Sequence, residues 1–269
     1  MTEKVPYKGL RPYEEADEDN FFGREGETRI LIDKVLTRKL TLLFAASGIG
    51  KSSLLQAALQ PSLKRPTPPA HDALDVVYCN DWVREPGPTL KIRVADTLKE
   101  QGRLPRDYPL ILEAPLADFL RRCTLFSSDP LVLILDQFEE FFNYQRHHPE
   151  FRPFVRELSA AIRDNASATR FLISMREDFA LELNAFKAEL PTQLFDNYYR
   201  LEGLSCNKAR EVIDRPLQRV GYTCEPALLD ALLERLGQCS KQQADGEEVG
   251  SRLLEIPPSR IEPPQIQMI

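Results

Sequence analysis

The segment Ser47-Gly48-Ile49-Gly50-Lys51-Ser52-Ser53 brings two glycines, a lysine and a hydroxyl together in one short stretch. Glycines can take positive backbone angles and carry no β-carbon, so successive backbone N–H groups can close on several neighbouring anionic oxygens. A ligand with that pattern of charge is a polyphosphate. Lys51 would reach the β and γ oxygens of a nucleoside triphosphate, and the Ser52 hydroxyl would ligate magnesium where a helix begins. Ser53 is the next helical residue and need not touch the metal. The full loop pattern has glycine where this chain has Ala45. That position mainly leaves the strand without cradling phosphate, so alanine costs little while its backbone angle stays negative.

Magnesium prefers oxygen ligands and keeps part of its water, so one carboxylate is expected to hold it, directly or through that water. The apolar run Leu131-Val132-Leu133-Ile134-Leu135 ends in Asp136 and supplies the candidate. An apolar strand ending in Asp is common in α/β folds; its neighbours give this one weight. Glu139 and Glu140 follow three and four residues later, and either could orient or polarise an attacking water, the other being a solvated helix residue. Arg176 stands just past the apolar run Arg170 to Met175. A parallel sheet would bring it to the edge that carries Lys51 and Asp136, where it could sense a γ-phosphate or simply pair with Glu177 or Asp178.

The elements needed to hold these residues are legible as an alternation of strands and helices. Arg24 to Leu40 reads as a helix with Ile30, Leu31, Val35 and Leu36 on one face, and Leu40 to Ala46 as a strand buried on both sides. Ser52 to Gln60 has helical spacing, and Pro61 with Pro66 to Pro69 is expected to end it. Leu74 to Cys79 reads as a strand, Pro88 to Gln101 and Pro115 to Leu125 as helices, Phe138 to Tyr144 and Pro149 to Asn165 as two more, and Tyr198 to Leu201 as a short last strand. Asn207 to Val220 and Glu225 to Leu236 form two amphipathic helices. The fold class is therefore α/β, a P-loop NTPase with a mostly parallel sheet flanked by helices and followed by a small helical lid. Three regions follow: 1–24 an extended strap, 25–203 the α/β nucleotide-binding domain, and 204–269 the lid with the start of a truncated segment.

Composition narrows the partners. With 35 Lys+Arg against 41 Asp+Glu the formal charge is -6, which does not favour a phosphate backbone, so nucleic acid is not expected. The five cysteines have no CxxC pair or nearby His and read as reduced thiols. No stretch approaches the about 18 apolar residues of a membrane helix, and the expected location is the cytoplasm. Trp82, Phe138, Phe141, Phe142 and Tyr144 suit core packing better than base stacking, and His71, His147 and His148 suit solvated positions. The lone Asn-Lys, Asn207-Lys208-Ala209-Arg210, lacks the Asp of a guanine reader, so adenine is favoured.

With these motifs the chain resembles the STAND class of signal-transducing ATPases with numerous domains, and within it the bacterial novel STAND NTPases. The resemblance runs through Tyr7-Lys8-Gly9-Leu10-Arg11-Pro12-Tyr13-Glu14, Phe21-Phe22-Gly23-Arg24-Glu25, the loop, Leu135-Asp136-Gln137-Phe138-Glu139-Glu140-Phe141-Phe142 and Ser174-Met175-Arg176-Glu177-Asp178-Phe179. It implies that the Phe22-Gly23-Arg24 strap lies along adenine, that Asp136 holds magnesium, that Glu139 or Glu140 serves the water, and that Arg176 is a sensor. Pro216 resembles the lid proline that closes over the base. The family further implies ATP/ADP as ligand, self-association on ATP binding, and protein partners reached through sensor and effector regions outside this chain, which ends where a winged-helix segment is expected to begin. The expected function is a slow, magnesium-dependent ATPase module of a signalling or defence switch. The alternatives are a nucleotide-gated scaffold with negligible hydrolysis and, more weakly, an AAA-type DNA-loading ATPase.

Overall fold

The computed structural model describes residues 7–9, 11–67, 72–126 and 129–237. Five strands, β1 (Leu40–Ala45), β2 (Asp75–Cys79), β3 (Leu131–Leu135), β4 (Arg170–Arg176) and β5 (Tyr198–Arg200), form one sheet in the order β2-β3-β4-β1-β5. Every pairing is parallel. Ala45 pairs with Arg176, and Cys79 with Leu135, so the carboxyl ends of the strands line up along one edge. The connecting helices are α1 (Glu25–Thr37), α2 (Lys51–Ser53), α3 (Gln60–Lys64), α4 (Pro86–Glu100), α5 (Leu116–Thr124), α6 (Glu139–Gln145) and α7 (Phe151–Arg163), and α8 (Cys206–Arg219) and α9 (Pro226–Gly237) follow the sheet.

The strands are apolar at consecutive positions because both faces are covered. On one face Leu42, Phe44, Leu133, Leu135, Phe171 and Ile173 pack with Val94 of α4, Phe119 of α5 and Leu158 of α7. On the other, Leu43, Ala45, Val132, Ile134 and Leu172 pack with Leu31 and Val35 of α1 and with Leu54, Leu55 and Leu59. Ile30 was expected on the apolar face of α1 and instead points to solvent, 43% exposed. Trp82, Phe138, Phe141 and Phe142 join the core as expected, with Trp82 edge-on to Phe138 at 4.9 Å between centroids. Tyr144 does not join it and is 55% exposed. The pair α8 and α9 has a small core of its own, with Ala209 and Ile213 against Leu229 and Leu233.

Three further expectations are corrected. Pro61 does not end the helix that begins at Lys51: winding continues through a π-helical stretch, Leu54–Leu59, into α3. The Gln60 N–H donates to the Leu55 carbonyl, five residues back, so the helix is already widened where the proline ring must fit. The strap is not wholly extended, because Glu15–Asn20 forms a 3-10 helix stabilised by a capping box between Glu14 and Asp17. Cys206 is disulfide-bonded, whereas Cys79, Cys123 and Cys224 are free thiols. The expected segment beyond residue 237, Leu10, and His71 lie outside the described residues. No helix among the described residues is long and apolar enough to cross a membrane.

Candidate functional site

The loop joins the carboxyl end of β1 to α2, and both glycines take the left-handed backbone their position requires, φ 78° at Gly48 and 89° at Gly50. Ala45 is the last residue of β1, still in register with Arg176, which explains why the missing glycine is tolerated. Ser47 and Gly48 are exposed and Ile49 is buried. Lys51 is 9% exposed, and among the described residues no carboxylate lies within ion-pair distance of its ammonium. Burial lowers its pKa, against the opposing pull of Glu139 and Asp136.

Asp136 reaches Ser52 even though β4 lies between β1 and β3. The Ser52 hydroxyl donates to Asp136 Oδ2 at 2.6 Å, and the Tyr78 hydroxyl donates to the same oxygen at 2.7 Å. Trp82 Nε1 donates to the Asp136 backbone carbonyl at 2.7 Å. Asp136 is fully buried, and its other oxygen, Oδ1, is buried without a hydrogen-bond partner among the described residues. A bare buried carboxylate oxygen costs free energy unless something else satisfies it. One such oxygen beside the Ser52 hydroxyl suits a magnesium ion that keeps most of its water. No cluster of three or more metal-binding side chains occurs among the described residues. Burial and the neighbouring Asp136 push the Tyr78 hydroxyl far above its ordinary range, so it stays protonated and donating.

After Asp136 the chain turns sharply. Gln137 adopts φ 53°, a left-handed backbone without glycine, and the Phe138 N–H donates to the Ser174 carbonyl at 3.0 Å. This turn separates the two glutamates. Glu139 is 6% exposed and its Oε2 accepts the Arg176 backbone N–H at 3.1 Å, while Glu140 is only half-buried. Burial raises the Glu139 pKa, and Lys51 partly offsets it. The Arg176 guanidinium is held by Asp178 at 3.0 and 2.6 Å and lies over the Phe179 ring, so its side chain takes the local pairing that was one of its two readings. Asp178 also raises its pKa.

A cleft beside the loop is walled by the strap (Tyr13, Phe21, Phe22, Arg24), by Ile49, Gly50 and Ser53, and by Leu204 and Val212 of the lid. Ser53 spends its hydroxyl on the strap, accepting the Tyr13 N–H at 3.1 Å. Arg24 donates to the Ile49 carbonyl at 3.2 Å and to the Glu202 carbonyl at 2.8 Å, tying the strap to the loop and to the segment that leads into the lid. Gly23, at φ 80°, is pressed against α8: an added β-carbon would sit 2.7 Å from Val212 Cγ2. Pro216 is buried one turn further along α8, and Val212 is the residue that faces the cleft. Helical spacing from Pro216 could have pointed to Val212. Tyr78 carried no signal, because only the pairing of β2 with β3 brings it to Asp136, and Gln56 carried none because its partner is Tyr78.

A parallel sheet with β4 between β1 and β3, a glycine loop feeding a helix, and a buried carboxylate bonded to the loop serine define a P-loop NTPase. The family model of novel STAND NTPase 1 matches residues 6–246. The chain belongs to that family. No curated protein matches it. Among solved structures it is similar in fold to the Walker-type ATPase PABY2304 of Pyrococcus abyssi, with TM-score 0.61 and 16% identity over 84% of this chain and 66% of that one. It is also similar to the Aeropyrum pernix ORC2 protein in ADPNP–ADP complexes, with TM-score 0.54 and 16% identity over 86% and 58% of the two chains. The Aeropyrum pernix ORC1 protein in complex with DNA gives TM-score 0.50 and 10% identity, covering 80% and 55%. The chain thus spans somewhat over half the length of these neighbours.

Proposed function

We propose that this NTPase module binds ATP with magnesium and hydrolyses it slowly, as the nucleotide-dependent switch of a signalling or defence protein. The observation that carries the reading is Asp136, whose buried Oδ1, beside the loop serine, has no partner among the described residues. Magnesium, when bound, would neutralise charge on the β and γ phosphates. Asp136 and Ser52 would hold it. The Gly48 and Gly50 loop would wrap the phosphates with Lys51 against the β and γ oxygens. Glu139 is favoured over Glu140 as the residue that orients and deprotonates the attacking water, since burial raises its pKa towards neutrality and the Arg176 N–H fixes its other oxygen. Arg176 would exchange Asp178 for the γ-phosphate, reporting the triphosphate to β4.

Adenine would lie in the cleft under the strap and lid. Pro216 has no N–H to give the Val212 carbonyl, which leaves on a cleft-lining residue an acceptor suited to the adenine amino group and unsuited to the guanine oxygen. The bonds of Arg24 to the loop and to Glu202, and the packing of Gly23 against α8, favour a closed ADP form that opens, and self-associates, with ATP. Phosphate release from ATP by the purified chain, with magnesium and with excess EDTA, tests the reading. Slow release that requires magnesium supports it, and none above background favours a nucleotide-gated scaffold. The fold it shares with a DNA-bound protein is weighed against its net charge of -6, and salt-dependent DNA binding would favour a DNA-loading role instead.

A further inference from the structure

We propose that Tyr78 is a positioning residue for the metal: its hydroxyl, aligned by Gln56, fixes Asp136 so that Oδ1 is the oxygen presented to magnesium. Tyr78 sits near the carboxyl end of β2, an edge strand that contributes nothing to the phosphate loop. Gln56 Nε2 donates to the Tyr78 hydroxyl at 3.1 Å, and that hydroxyl donates to Asp136 Oδ2 at 2.7 Å. The direction of the chain is fixed, because an amide nitrogen only donates and a carboxylate only accepts. Ser52 adds a second donor to Oδ2 at 2.6 Å. One oxygen of the carboxylate is therefore occupied twice and the other not at all.

That asymmetry sets both the rotation of the carboxylate and its charge distribution. With two donors on Oδ2, rotation about the last side-chain bond would strip both bonds and bury them unmade, so Oδ1 stays where it is. Gln56 lies in the π-helical stretch that follows α2, so the helix carrying Ser52 also carries the residue that aligns Tyr78. The loop helix and the β2 edge thus meet on one oxygen atom. Groups that orient a metal ligand from behind typically change metal affinity about 10- to 100-fold when removed.

The inference rests on the magnesium reading of the site, and the test separates the two. Mn2+ is titrated into the chain saturated with a non-hydrolysable ATP analogue, with bound metal read by electron paramagnetic resonance, for the parent and for Tyr78→Phe. The ring stays and only the hydroxyl goes. Metal affinity should fall about tenfold, while analogue binding in EDTA stays within about twofold. Gln56→Ala, which keeps the Tyr78 hydroxyl but frees it, should give a smaller loss in the same direction and serves if Tyr78→Phe does not fold. Parent-like metal affinity in both variants overturns the positioning role alone. Absence of metal binding by the parent overturns the magnesium reading and the positioning role together.

Discussion

The two edges of the sheet handle buried charge in opposite ways. At the amino ends of the strands, charge is neutralised or bonded. Asp75, at the start of β2, is 3% exposed and paired with Arg103 at 2.8 Å, and Arg103 also holds Asp129 at 2.5 Å. Lys39, just before β1, donates to the Asp164 carbonyl at 2.7 Å. Asn197, just before β5, donates to Thr41 Oγ1 at 2.9 Å and to the Leu40 carbonyl at 3.2 Å. At the carboxyl ends, Lys51 has no ion pair and Asp136 Oδ1 no hydrogen-bond partner among the described residues, Glu139 is held at a raised pKa, and Gln137 occupies a left-handed turn. The same strands supply both edges, so the difference is not one of burial. One edge is arranged to stabilise the fold, and the other leaves open the interactions that the proposed nucleotide and metal would complete.

That contrast can be broken in order of expected effect. Lys51→Ala should remove ATP binding and hydrolysis to background, yet leave the nucleotide-free chain as stable as the parent within about 1 kcal/mol, because an unpaired buried charge is also removed. Binding isotherms and urea denaturation check both halves. Glu139→Gln should lower the hydrolysis rate about 100-fold or more while ATP binding persists, and Glu140→Gln should change it little. Glu139 also has a stability signature. Its folded pKa is raised, so the ionised form opposes folding at neutral pH, and that opposition fades as pH falls through the folded value towards the ordinary carboxylate range. The Gln variant should therefore melt higher than the parent at neutral pH, with the gap closing in acid.

Asp75→Asn at the opposite edge should reverse the pattern, costing about 1–3 kcal/mol in denaturant while nucleotide affinity is unchanged. Gln137→Gly should have the smallest effect. Relief of the left-handed backbone is offset by the entropy of glycine, leaving a gain of at most about 1 kcal/mol by thermal unfolding.

The order of strands and helices was legible because each strand is a short apolar run and each helix has a buried face. The loop was legible because its glycines, Lys51 and Ser52 are adjacent in sequence. What escaped were relations made only in three dimensions. No periodicity reveals that β4 separates β1 from β3, or that β2 delivers Tyr78 to Asp136. Glu139 and Glu140 are equivalent by spacing, and the turn at Gln137 separates them. Pro61 carries a local signal to stop a helix, and the widened π-helical winding before it overrides that signal. Tyr13 to Ser53 and Arg24 to Ile49 bind the strap to the loop through backbone groups that no sequence motif encodes.

The most direct measurement is calorimetric titration of the nucleotide-free chain with ATP and with GTP, each in magnesium and in EDTA, beside Lys51→Ala. The account predicts ATP binding that is strengthened by magnesium, weak or no GTP binding, and no heat with Lys51→Ala. Equal binding of ATP by the parent and by Lys51→Ala would contradict it.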